Sequence, residues 1–135
     1  MSEDFISEMM RKLALLEEMN GFDLVKADGG REIPFPIKRP IVCFGKEATD
    51  KMSFLLGYDD GLFGSEKMTV SVYTDEKTGG AFCEESAKEV CRALLELDET
   101  KMITSVCVEK CMYDKTDFAY KVVMRFSLRE LVRYA

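Results

Sequence analysis

The last part of the chain has the cleanest alternation of apolar and polar positions. Phe118, Tyr120, Val122, Met124, Phe126 and Leu128 fall on one side of an extended strand, with Lys121, Val123, Arg125 and Ser127 on the other. One side suits a core and the other solvent or a partner. Met68-Thr69-Val70-Ser71-Val72-Tyr73 alternates in the same way and is followed by a Gly79-Gly80 break. Apolar positions then move to helical spacing at Cys83, Ala87, Val90, Cys91 and Leu94, which predicts an amphipathic helix from about Phe82 to Leu97. Near the start, Phe5, Ile6, Met9, Met10, Leu13 and Leu16 predict another helix over about Glu3 to Met19. Ser2 can cap it, Glu3 and Asp4 suit its positive end, and Asn20-Gly21 supplies a stop.

Weaker signals fill the gaps. Phe22 to Ala27 is a short candidate strand ended by the turn Asp28-Gly29-Gly30. Prolines keep residues 34–40 extended, and Ile41-Val42-Cys43-Phe44 reads as a strand covered on both faces. Met102 to Cys111 reads as a strand, with Asp114-Lys115-Thr116-Asp117 as the polar link of a closing hairpin. The expected fold is α+β, a mixed and mostly antiparallel sheet of about four to five strands with two helices on one face. No repeat or linker divides it, so residues 1–135 are expected to form a single domain.

The least regular stretch runs from Gly45 to Lys67. Gly57, Gly61 and Gly64 are interleaved there with Phe54, Leu55, Leu56, Tyr58, Leu62 and Phe63. A connection of this length without periodicity is unusual in a compact domain. Its aromatic groups either fold back onto the core or form an arm that is buried against another chain.

Composition narrows the function classes. A chain of 135 residues, 47% hydrophobic and 33% charged, is globular and can bury a sizeable core. Its net charge of -6 repels phosphate backbones, which disfavours general or specific nucleic-acid binding. No apolar run is long enough to span a bilayer, and Met-Ser-Glu-Asp-Phe is unlike the start of a signal peptide. A soluble cytoplasmic protein is expected.

With no histidine, the chain can build neither a Ser-His-Asp or Cys-His nucleophile nor a histidine-containing zinc site. Five cysteines (Cys43, Cys83, Cys91, Cys107, Cys111) lack the paired short spacing of zinc ribbons, and free buried cysteine ordinarily serves as a small apolar residue. Cys83 lies near a helix start, but Glu84 and Glu85 oppose a lowered thiol pKa. The carboxylate pairs Glu17-Glu18, Asp59-Asp60 and Glu84-Glu85 are adjacent in sequence and so do not face one another. Gly29-Gly30 and Gly79-Gly80 lack the spacing and lysine of a phosphate loop. No catalytic, cofactor or metal site is expected. Lys121, Arg125, Arg129 and Arg133 recur every four residues, and the first two share the outward strand face. They form either a solvated surface or one half of a charge-complementary interface.

The order of elements is similar to that of the tail-terminator and head–tail joining proteins of long-tailed bacteriophages and prophages. The local matches are Arg39-Pro40-Ile41-Val42, Val70-Ser71-Val72-Tyr73-Thr74 before the glycines, and Ala87 to Leu95 followed by the strand from Tyr120 to Leu128. The resemblance implies a structural protein that forms a ring, usually a hexamer, on the end of a tail tube. Such a ring stops tube growth and meets the head connector; it forms in the host cytoplasm and stays with the virion. A head-to-tail ring needs two different complementary patches per subunit. Phe54, Leu55, Tyr58, Leu62 and Phe63 are the candidates for one, and Lys121 with Arg125 for the other. The chain also resembles the acidic dimeric chaperones of bacterial secretion systems, with the small Cys83/Ala87/Cys91 helix face as dimer seam. An enzyme whose site is assembled only by the fold is a third possibility.

Overall fold

Residues 2–26, 37–47, 67–116 and 118–129 are described by the computed structural model. In chain order they form α1 (Ser2–Ala14), a single 3-10 turn (Glu17–Met19), β1 (Asp23–Lys26), β2 (Ile41–Glu47) and β3 (Lys67–Asp75). After these come α2 (Gly80–Leu97), β4 (Ile103–Val108), β5 (Met112–Asp114) and β6 (Ala119–Leu128). The fold is α+β. The sheet order is β1-β2-β3-β6-β4, with β5 also on β6. β1 and β2 are parallel and the other pairs antiparallel.

Alternation decides which face each strand buries. Met68, Val70 and Val72 of β3 and Val122, Met124, Phe126 and Leu128 of β6 share one face. They pack there with Phe5, Ile6, Met9 and Leu13 of α1 and with Cys83, Ala87, Val90 and Leu94 of α2. α1 lies over β2 and against α2, while α2 lies over β3 and β6. Both helices therefore cover one face, as the sequence pattern predicts. On the opposite face a smaller cluster joins Ile37, Ile41, Tyr73 and Ala119 to Val25 and Cys43. β2 is thus apolar on both sides, in keeping with its continuous run.

Close approach at the start of α2 depends on glycine. Gly79 has φ +84°, a backbone few side chains adopt. A Cβ on Gly80 would lie 3.3 Å from Tyr120 Cδ1 and 3.4 Å from Cys111 Sγ. At the other end of α2, buried Asp98 directs the chain into β4. Its Oδ1 accepts from the Met102 amide at 2.9 Å and its Oδ2 from the Ile103 amide at 2.8 Å.

Four boundaries differ from the sequence expectation. α1 stops at Ala14, well short of Met19, because Leu16 is extended (φ -78°, ψ 134°) and the 3-10 turn then tucks Met19 into the core. Arg39 holds this corner by donating to the carbonyls of Asn20, Gly21 and Phe22. α2 begins at Gly80, so its first turn carries no acid and Glu84 and Glu85 sit one turn in. The expected strand from Met102 to Cys111 divides into β4 and β5: after a last bond from the Glu109 amide to the Val123 carbonyl at 2.9 Å, the chain leaves the ladder and brings Cys111 beside α2. Phe118 belongs to the turn: at φ +51° its side chain leaves the strand's alternation and is half exposed. No described helix is long and apolar enough to cross a membrane.

Candidate functional site

The open side of the sheet carries the two basic residues singled out by the strand pattern. Lys121 and Arg125 lie four apart on β6, both half-buried. The Lys121 ammonium sits 5.3 Å from the centre of the Tyr73 ring, and the Arg125 guanidinium is paired with Glu109. A shallow depression of about 380 Å³ next to them is lined by Glu109, Met112, Asp114 and Val123 as well. Lys110 and Lys115 also line it, so four cations meet two carboxylates there, and Lys121 and Arg125 each already have an attractive partner in their own chain. Arg129 donates to the Thr100 carbonyl at 3.3 Å and so belongs to the β4 end of the sheet. Phe54, Leu55, Tyr58, Leu62, Phe63 and Arg133 lie outside the described residues.

A second surface lies on the helix side. α1 and α2 make their main contacts with β2, β3 and β6; Ile103 and Val106 of β4 reach the same core, but beyond them a groove of about 510 Å³ opens between α2 and that strand. Its apolar lining is Ala87, Cys91, Leu95 and Val108, with Val108 51% exposed. Lys88, Arg92 and Lys101 supply three cations against one anion, Glu96. Arg92 is 3.3 Å from Glu96 and 3.9 Å from Glu18, whereas Lys88 and Lys101 make no ion pair among the described residues. β4 reads Ile-Thr-Ser-Val-Cys-Val, without a charge, and pairs only with β6 among the described strands. Such a neutral, β-branched edge is the kind that proteins ordinarily blunt with lysine or proline.

The groove escaped the sequence reading, although a trace of it is there. Ala87, Cys91 and Leu95 are spaced by four and form a second apolar row beside the stripe Cys83, Val90 and Leu94. An apolar stripe wider than one sheet contact needs is the sign of a second contact.

The cysteines divide by environment. Cys83 is fully buried and its thiol donates to the Val72 carbonyl at 3.4 Å. Burial pushes its pKa from 9.0 up to about 11; the Thr74 side chain beside it works the other way, and Cys111 and Glu84 add to the rise. Burial also raises Cys91, while Cys107 is exposed. Thiol labelling at pH 8 is expected to reach Cys107 first and Cys83 only on unfolding. Because the unfolded thiol ionises from about pH 9 and the folded one near 11, the stabilisation is complete below pH 9 and is lost as pH rises through 11. About 2–3 kcal/mol is at stake. Alkaline denaturation midpoints compared between the parent and Cys83→Ala check this, and equal alkaline slopes would refute it. Among the described residues, no group of three or more cysteines and carboxylates is placed to hold a metal ion.

No protein-family model matches the chain, and no curated protein matches it.

Proposed function

We propose that the chain is a ring-forming structural subunit of a phage or prophage tail, of the terminator type that caps the tube and meets the head. The observation that carries this reading is the β4 flank, which the described residues leave open and where a neutral edge strand stands beside an apolar groove with a surplus of cations. A flank like this is a liability in an isolated subunit and an asset in an assembly. The open sheet face at Lys121 and Arg125 is cation-rich as well, with four cations against two carboxylates, so the acidic half of a head-to-tail contact comes from elsewhere on the subunit. The order of helices and strands, with both helices on one face, supports the same assignment. The partners in this reading are other copies of the chain, the tube and the head connector. A net charge of -6 suits a ring through which DNA passes without adhering.

Light scattering across a concentration series in reducing buffer tests the reading, with a species near six subunits as the expected result. Phe54→Asp and Phe63→Asp are expected to abolish that species while leaving the circular dichroism spectrum and thermal midpoint of the subunit intact. Loss of folding would instead assign those side chains to the core. A tight dimer would favour a secretion chaperone. Cys83 and Ala87, the seam that reading needs, are 0% and 1% exposed and packed against their own sheet, which counts against it.

A further inference from the structure

We infer that the α2–β4 groove receives residues 48–66 of a second copy of this chain. The inference rests on the ring reading in requiring more than one copy, and it names the contact that closes each interface.

Charge is the first argument. The groove carries Lys88, Arg92 and Lys101 against Glu96 alone. Residues 48–66 carry Asp50, Asp59, Asp60 and Glu66 against Lys51 alone. With Glu18 beside Arg92 counted, the groove is still positive while the segment stands at -3, so the two attract, whereas two copies of the groove face repel. Contact of groove against groove is therefore disfavoured, and contact of groove against segment favoured. Apolar content is the second argument. The segment offers Phe54, Leu55, Leu56, Tyr58, Leu62 and Phe63, and a groove of about 510 Å³ with Leu95 and Val108 turned outward has room for large side chains of this kind. Aromatic anchors in an apolar depression ringed by charge are the ordinary anatomy of a protein interface. The third argument concerns the open sheet face. Tyr73 and Glu109 already attract Lys121 and Arg125 within the subunit, whereas Lys88 and Lys101 of the groove make no ion pair among the described residues.

Native Cys91 lines the groove and gives a direct test. In full-length protein carrying Leu62→Cys and Cys107→Ser, a short bismaleimide is expected to give a ladder of covalent oligomers on a denaturing gel. Adding Cys91→Ser should abolish the ladder. Assembled protein whose ladder is indifferent to Cys91→Ser would overturn the inference and leave the ring reading standing. So would a cross-link confined to one chain, from Leu62→Cys or from Tyr134→Cys, since the groove would then hold its own arm or tail. Protein that stays monomeric at every concentration would remove the ring reading and this inference together. Charge reversal gives a second arm. Lys88→Glu with Lys101→Glu is expected to raise the concentration for half-assembly about tenfold or more, and Asp59→Lys with Asp60→Lys to restore it. A double variant that assembles like the parent would overturn the contact.

Discussion

Replacing Phe126 with alanine is expected to lower the unfolding free energy by about 3–5 kcal/mol, the largest loss from any single side chain considered. Phe126 is fully buried on β6, opposite Met68 of β3 and Val106 of β4, in the layer under the helices. Truncation removes apolar area from two strand contacts at once, and the sheet cannot close over the void because its ladder is fixed on both sides. For a chain of this length the loss corresponds to a fall of roughly 10–18 °C in thermal midpoint. Phe126→Leu keeps most of the volume and should cost well under half as much. Urea unfolding with an unchanged slope checks both values, and a loss below about 1 kcal/mol in Phe126→Ala would mean that the central layer packs elsewhere.

Asp98→Ala is expected to cost about 2–4 kcal/mol, for a different reason. The carboxylate accepts two amides, those of Met102 and Ile103, and it does so while 3% exposed. Alanine leaves both donors part-buried without their acceptor, and they are the donors that start β4. Asn restores one good acceptor and should recover part of the loss. Hydrogen exchange gives the specific signature: the Met102 and Ile103 amides should lose protection in Asp98→Ala while the β3–β6 ladder keeps it. Uniform loss of protection would make Asp98 an ordinary contributor to global stability. The substitution should also impair assembly, because β4 forms one wall of the groove.

Local pattern made much of this architecture readable in advance. β3, β6 and α2 follow directly from period-two and helical spacing, and their shared face follows from which residues are apolar. Boundaries were less legible, since they depend on tertiary contacts. Met19 continues the apolar spacing of α1, yet it reaches the core only because Leu16 breaks the helix and Arg39 binds the carbonyls beyond the turn. Cys111 continues the apolar trend of β4 but leaves the strand to pack near Gly80. The basic pair on β6 was legible as a face, whereas its partners Tyr73 and Glu109 come from other parts of the chain. The groove was hardest to foresee. It is a shortage of cover over one strand, and no run of residues encodes how far two helices extend across six strands.

The position of β6 has a consequence for biosynthesis. This strand joins β3 on one side to β4 and β5 on the other, and it is made after all of them. While a ribosome is still adding residues before Ala119, the two halves of the future sheet share no ladder. Met68, Val70 and Val72 then have β2 on one side only, and the other edge of β3 is open. The pairing that ends this exposure links Asp75 to Ala119 and Lys67 to Ser127, across a long separation whose closure entropy slows folding. Completion of the sheet therefore waits until β6 has been made. A nascent chain stalled before this strand would need shielding from its neighbours on the same messenger.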